Sequence, residues 1–507
     1  PELEYGVRRL FLGAYLSWIM GAGFLFEEDS QFQYFKAEKM AAGDYLPFHK
    51  NAVMQSFYRY NRTHPRRGQP LVNIAVLQGR YAAPISGLGN VNNNSGKDAF
   101  INENYPVWSH TGNKRWSWGY RQCEKALHLL EILSPGICLT PLHQQAEKVR
   151  RFFSGSPRGE YDYLPVEAEL SVFNMYKLLI LLDWHTMDPD TGDYEKLCGY
   201  AEAGGTLFLS IPHLNTRTDR EFLETMDDLA LYKGGSVEQL CGVRIKGPSN
   251  RQFTATSPVL SGSTGVAAEW NGFTVPAYQG IRLPNQRADE DGPCFLGDIE
   301  LHGAVPILIG NDGTPILIRH SIGRGFVYLF CAYSYPGHEA LKNIMPAILN
   351  RLLDIHNKPF ITLKGNTEDI DDIYYALWGE AGNPDKLYLL NTDWTREQNQ
   401  KIVELQAGAV RADLTVTEGE LTEISLFENG ILYAEDRRQD VSITLLERKT
   451  NESSYALFGL ENFRIRIISN KSIQVFIQSE IQPAGGGHDG SGVYKAPKGR
   501  TILTLKV

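Results

Sequence analysis

The sequence predicts an α/β fold that gives way to an antiparallel β-sandwich, and three observations predict it. Between residues 68 and 358, continuous apolar runs alternate with amphipathic stretches, as buried parallel strands and their crossover helices require. After residue 359 the pattern becomes short strands separated by turn residues. Residues 1–67 read helix, short apolar strand, acidic loop, helix, the repeating unit of an α/β barrel or a doubly wound sheet.

In the first region, Glu4–Met20 is the opening helix and Gly21-Ala22-Gly23 leads into the strand Phe24–Phe26. The strand ends in Glu27-Glu28-Asp29, and a second helix, Pro47–Asn61, is stopped by the HPRRGQP linker. In the second, Leu71–Leu77, Tyr176–Leu182, Thr206–Ile211 and Gly325–Tyr333 are the buried strands. Trp118–Leu133 has helical spacing, Tyr194–Ala203 is a helix ended by Gly204-Gly205, and His338–Ile355 is a closing helix. In the third region the expected strands are Ile373–Trp378, Lys386–Leu390, Leu421–Phe427, Val441–Leu446, Tyr455–Leu460, Phe463–Ile468, Ile473–Ile477 and Thr501–Val507.

Composition narrows the function. The 507 residues are 42% hydrophobic with a net charge of -9, which fits a globular chain of two to four domains and argues against a dedicated nucleic-acid binder. The uncharged run Leu10–Phe26 follows Arg8-Arg9 but is preceded by acidic residues, is broken by glycines and lacks a small-x-small cleavage site, so it reads as a buried helix and strand. It is also short for a membrane span, which takes about 20 residues. The six cysteines, at 123, 138, 198, 241, 294 and 331, show no C-x-x-C and no clustered histidine, so neither a zinc site nor a disulfide framework is expected. No nucleotide-binding glycine motif stands at a strand–helix junction, and no cofactor is expected.

Three features bear on chemistry. Glu27, Glu28 and Asp29, with Gln31 behind them, are the densest acidic cluster next to a buried strand. Carboxylates at the carboxyl end of a barrel strand enter the site, where like charges separate their pKa values into an acid and a nucleophile or base. Neighbours on a strand face opposite ways, so Glu27 and Glu28 do not oppose each other as a pair. The run also fits the start of a solvated loop. Tyr105–Tyr120 carries Trp108, His110, Trp116 and Trp118 after a long polar insertion. Such aromatics stack on sugar rings while His, Asn and Arg serve the hydroxyls, although Trp116 and Trp118 also fit as anchors for the next helix. Finally, the α/β region lacks a nucleophile elbow: Thr206–Leu209 runs into Ser210-Ile211-Pro212-His213 without Cys or flanking Gly. Asp183-Trp184-His185 end the neighbouring strand with no nucleophile to serve.

The segment YKLLILLDWHTMDPDTGDYEKLCGYAEAGGTLFLSIPHLN, with LYKGGSVEQLCGVRI and HSIGRGFVYLFCAYSYPGHEALKNIMPAILNRLLD, resembles the amidotransferase-like trimerisation domain of family 42 β-galactosidases and related glycosidases. In that family the domain follows a (β/α)8 catalytic barrel and precedes a β-domain. The resemblance implies three parts: 1–67 as the last units of the barrel, 68–358 as a flavodoxin/amidotransferase-like α/β domain that has lost its elbow, and 359–507 as the β-sandwich. It implies a retaining glycoside hydrolase acting on a β-linked galactoside or related oligosaccharide, assembled as a homotrimer, with no nucleic-acid or membrane partner. The family's catalytic glutamates would then precede Pro1, leaving Glu27 and Glu28 as tentative catalytic groups. Asp29, Gln31, Trp108, His110, Trp116 and Trp118 would bind substrate. The rival expectation is a non-catalytic oligomerisation or carbohydrate-binding module.

Overall fold

The computed structural model describes residues 2–22, 46–80, 126–135, 153–217, 229–261, 267–277, 292–380, 382–394, 398–436, 440–478 and 492–506. The chain divides into two compact units. One is Val72–Val149 with Tyr161–Lys358, and the other joins Pro1–Leu71 and Arg150–Glu160 to Pro359–Val507. The sequence had suggested three regions; here residues 1–71 are grouped with the C-terminal strands.

The α/β unit is built on an eight-stranded sheet. In spatial order its strands are Tyr161–Pro165, Ile74–Gln78, Leu178–Leu181, Thr206–Ser210, Gly325–Phe330, Pro315–Ile322, Val305–Gly310 and Val259–Ser261. The first five are parallel and the last three extend the sheet antiparallel. Successive side chains on a strand point to opposite faces. Thus Ile74, Val76, Leu178, Ile180, Phe208, Tyr328 and Phe330 enter one core, which the helix Ile344–His356 covers with Ile344, Ile348, Leu352 and others. Ala75, Leu77, Leu179, Leu181, Leu207, Leu209, Val327 and Leu329 enter the other, with Tyr194, Leu197, Cys198 and Ala201 of the helix Asp193–Glu202. Because both faces are covered, the parallel strands read as unbroken apolar runs.

Two details show local sequence setting local structure. Asp193–Glu202 stops where Gly204 takes φ +113°, a left-handed backbone region costly for other residues. Gly325 lies so near the facing backbone that a β-carbon would sit 2.1 Å from the Gly205 carbonyl oxygen. The expected closing helix is shorter than its sequence pattern. A 3-10 turn at Glu339–Leu341 precedes the α-helix Ile344–His356, which places Pro346 in the first helical turn, where its missing N–H removes no intrahelical bond.

The other unit is centred on an antiparallel seven-stranded sheet in the order Gln69–Pro70, Ile373–Glu380, Asn383–Asn391, Leu421–Phe427, Gly430–Ala434, Phe463–Ser469, Gly492–Ala496. A three-stranded sheet (Ile361–Lys364, Gln400–Ala407, Val410–Thr417) packs on one of its faces through Ile373, Tyr375, Leu377, Val403, Leu405 and Leu414. A four-stranded sheet containing Val441–Lys449 and Glu452–Gly459 shares a further core with its later strands. This sheet-on-sheet packing agrees with the expected sandwich.

Tyr374, Ala376 and Trp378 point the other way, and two helices cover them: Glu2–Ile19 and Leu46–Thr63. Trp18 is 2% exposed, donates from Nε1 to Asn61 Oδ1 at 2.8 Å, and meets the rings of Tyr60 and Tyr388 edge-on at 5.2 Å each. Trp378 Nε1 donates to the Ile19 carbonyl at 2.7 Å. The expected strand Phe24–Phe26 lies outside the described residues, so the barrel assignment of 1–67 rests on no described strand. Among the described residues no helix is long and apolar enough to cross a membrane.

At the sheet's end, Lys401 places a buried ammonium 2.8 Å from Asp372 Oδ2, 3.3 Å from Asp369 and 3.7 Å from Asp393. These hydrogen bonds and charges hold its pKa above the usual lysine value against the opposing effect of burial.

Trp18→Ala removes a large buried side chain and the partner of Asn61, and is expected to destabilise this unit by about 3–5 kcal/mol. Urea denaturation followed by tryptophan fluorescence checks it. A loss near zero would mean that the N-terminal helices do not share this core in solution.

Candidate functional site

In an open α/β sheet, ligands bind beyond the carboxyl ends of the strands, where the strand order reverses. Here the chain leaves Ile74–Gln78, forms Tyr161–Pro165 on one side of it and then Leu178–Leu181 on the other. The reversal point is therefore flanked by Gly79-Arg80 and Asp183-Trp184-His185-Thr186, with Ser210–His213 one strand further on.

A buried polar network fills this position. Asp183 is 2% exposed; its Oδ1 accepts from the Gly79 amide at 3.1 Å and its Oδ2 from the Tyr163 hydroxyl at 2.5 Å. Burial pushes its carboxyl up to about 6, and these hydrogen bonds act in the opposite direction. A β-carbon on Gly79 would stand 1.8 Å from the Trp184 carbonyl oxygen, so the two strand ends meet backbone against backbone. Arg80 turns to Asp193, with Nη2 and Oδ2 2.7 Å apart, while Lys196 reaches the other carboxylate oxygen at 3.2 Å. Burial works against the Asp193 charge, but Arg80 foremost, then His185 and Lys196, hold its pKa below the ordinary range.

Ser210 and His213 form a serine–histidine pair that sequence reading had passed over. Ser210 Oγ lies 3.1 Å from His213 Nδ1, and the Ser210 amide donates to the same nitrogen at 2.8 Å. His213 Nε2 must then carry the proton it donates to the Asp183 carbonyl, 3.0 Å away. The pair nevertheless lacks the properties of a nucleophile and base. Both residues are fully buried, Ser210 has ordinary extended backbone (φ −120°, ψ 166°), and burial holds His213 down to about 3. A base of that pKa takes no proton near neutrality. The arrangement is a capping box in which histidine replaces the usual Glu or Gln at the start of the 3-10 turn Ile211–Leu214. The signal was present as Ser-x-x-His with Pro at the first turn position. His185, also fully buried, has no hydrogen-bond partner on either ring nitrogen among the described residues, and burial pushes it down to about 4.

The described cysteines are Cys198, Cys241, Cys294 and Cys331; all are buried, and burial raises every thiol pKa, to about 12 for Cys198 and about 11 for Cys294. They remain protonated and unreactive at neutral pH. The acidic cluster Glu27, Glu28 and Asp29 with Gln31, and the aromatic segment with Trp108, His110, Trp116 and Trp118, lie outside the described residues. Among the described residues, no group of three or more His, Cys, Asp or Glu side chains is placed to hold a metal ion.

No family model matches the chain, and no curated protein is similar to it in sequence. Solved structures that resemble it include a β-galactosidase from Bacillus circulans sp. alkalophilus, at 11% identity and TM-score 0.34, covering 91% of this chain and 45% of that one. Another is a GH42 β-galactosidase from G. stearothermophilus, at 11% identity and TM-score 0.37, covering 83% and 50%. A cytoplasmic protein from Salmonella typhimurium LT2, at 12% identity and TM-score 0.28, covers 46% of this chain and 87% of its own. The chain spans about half the length of these β-galactosidases. Each likeness is weak and concerns the fold alone.

The buried network carries a pH signature. His185 and His213 ionise near 6.5 when unfolded and only near 4 and 3 when folded. The stability they contribute is present above pH 6.5 and is lost as pH falls through those values, about 2 kcal/mol each by pH 5. Asp183 has the opposite sign. Its folded pKa is raised from 3.8 to about 6, so its contribution is full below pH 3.8 and lost as pH rises through 6. Between pH 7 and pH 5 these three groups together are expected to cost about 2 kcal/mol. Urea titrations at the two pH values check this. His185→Leu should shrink the difference by about 2 kcal/mol, and an unchanged difference would show that His185 is not buried neutral.

Proposed function

We propose that this chain is the C-terminal portion of a retaining glycoside hydrolase that cleaves a β-linked galactoside or a related oligosaccharide, and that its α/β unit is a scaffold without a nucleophile. One observation carries the reading. The strand end where an amidotransferase-like sheet would present its nucleophile is closed, with Ser210 buried and tied to a histidine that stays neutral. This supports the degenerate amidotransferase-like domain that the resemblance of 176–215 and 320–354 implies. Catalysis then belongs to two carboxylates outside the α/β unit. One protonates the departing glycosidic oxygen while the other attacks the anomeric carbon, and water later hydrolyses the glycosyl-enzyme.

In this reading Glu27 and Glu28 are tentative catalytic groups at a barrel rim, and Asp29 and Gln31 hold substrate hydroxyls. Trp108, His110, Trp116 and Trp118 also bind substrate, and the assembly is a homotrimer. The closed Ser210–His213 pair also favours the second reading, a non-catalytic assembly or carbohydrate-binding module, because both readings deny chemistry to the α/β sheet.

Turnover of chromogenic β-galactosides by the protein as encoded separates the two. Ser210→Ala should leave kcat/KM unchanged, and Glu28→Gln should lower it about tenfold or more. No turnover on any β-glycoside would remove the hydrolase reading, and undiminished turnover by Glu28→Gln would remove Glu28 from the site. Light scattering on the same sample should give three times the chain mass; a monomer would count against the trimer.

A further inference from the structure

The unit that contains the C-terminal strands has a surface cleft of about 490 Å³, counting space open to solvent, lined by Ser56, Arg59, Tyr60, Thr63, Asp440, Phe458 and Leu460. We propose that this cleft is a binding subsite for a neutral saccharide unit, separate from any site of bond cleavage. The proposal extends the carbohydrate reading above and rests on it for the identity of the sugar.

One wall is a single stripe of the helix Leu46–Thr63, since residues 56, 59, 60 and 63 follow helical spacing. The other wall is the start of the strand Val441–Lys449 and the end of Glu452–Gly459. The back is rigid. Tyr60 is 3% exposed, stacks on His64 with ring centroids 3.9 Å apart, and donates from its hydroxyl to Glu423 Oε2 at 3.0 Å. His64 Nε2 bonds to the Val441 carbonyl at 3.0 Å, next to Asp440, and so ties the two walls together. Groups held this way keep their geometry without a ligand, which lowers the ordering cost of binding.

The groups facing the opening are of a different kind. Arg59 and Asp440 are exposed, and neither forms an ion pair with the other or with any described residue. Phe458 is 37% exposed and Leu460 42% exposed. Among the described residues the lining presents one positive charge, one negative charge and an apolar platform. An anion entering the cleft meets the Asp440 carboxylate, and a cation meets Arg59, so the balance disfavours ligands of either net charge. A neutral polyol suits all the groups together. Its hydroxyls donate to the carboxylate and accept from the guanidinium and the Ser56 hydroxyl, in charge-assisted hydrogen bonds. Its C–H face lies against Phe458, as apolar ligand faces do on aromatic rings in binding pockets.

Calorimetric titration of the full chain with lactose, with a β-linked galacto-oligosaccharide, and with glycine as a small zwitterion tests this. Saturable binding of a sugar is expected, weakened about tenfold or more in Arg59→Ala and in Asp440→Ala. Phe458→Ala should weaken it as well, while Tyr58→Ala, exposed on the same helix outside the cleft, should not. All four positions are exposed or at the rim, so their melting temperatures should match wild type. Absence of sugar binding, equal affinity in the Arg59→Ala/Asp440→Ala double variant, or preferential glycine binding would each overturn the subsite. Failure here is distinct from failure of the hydrolase reading. Turnover that persists with unchanged sugar affinity in the double variant removes the cleft alone, and sugar binding lost in the variants of a protein without turnover removes the hydrolase alone.

Discussion

Both units depend on burying a sheet on two faces. A strand such as Leu178–Leu181 or Ile373–Glu380 has nowhere to point a polar side chain, so each needs a cover on either side. In the α/β unit the helix Asp193–Glu202 covers one face and the helix Ile344–His356 the other. In the other unit the second cover comes from helices more than 300 residues away in sequence. Helix docking, core composition and the closeness of the strand ends all follow from that requirement, because a single-sided sheet would leave Tyr374 and Trp378 in water.

The same dryness governs the polar groups. At the carboxyl end of the parallel strands, Asp183, His185, Ser210 and His213 sit where nothing solvates them, so the histidines stay neutral and the carboxyl resists ionisation. Lys401 shows the other solution, a buried ammonium kept charged by carboxylates arranged around it. A reversal point in a doubly wound sheet is a favoured place for chemistry. Here Asp183, Ser210 and His213 are spent on holding backbone turns together.

The α/β unit was legible because continuous apolar runs of strand length alternate with stretches of helical spacing; Leu178–Leu181 and Thr206–Ser210 lie inside the ranges that pattern gave. Gly204-Gly205 marked the end of Asp193–Glu202, whereas the start of Ile344–His356, with Pro346 in its first turn, lies inside the longer helix that the sequence pattern gave. The hairpin Gln400–Ala407 and Val410–Thr417 was missed although Val403, Leu405, Val410, Ala412, Leu414 and Val416 alternate inward; Lys401 interrupts that face and Ile402 places an apolar side chain on the outer one. Its turn signal, Gly408 at φ +59°, was visible but unread. IYYALW at Ile373–Trp378 was read as an ordinary sandwich strand, although its lack of alternation already required a second cover. That this cover is the N-terminal helices could not be read locally, because only tertiary packing joins residues so far apart. Ser210–His213 escaped for a related reason: a capping box with histidine differs from a catalytic pair in burial and backbone geometry, and sequence reports neither.

The pairing of Ile19 with Trp378 across 359 residues has a consequence for biosynthesis. A ribosome adding about 5–20 residues each second needs roughly tens of seconds to make the distance between them. For that interval the apolar stripe of the opening helix, with Leu12, Tyr15, Leu16, Trp18 and Ile19, has emerged without the sheet that will cover it. The α/β unit, whose contacts all lie within residues 72–358, can close first. Over that interval this stripe is exposed to aggregation and to chaperone capture, and it is covered only once the strand Ile373–Glu380 has been synthesised.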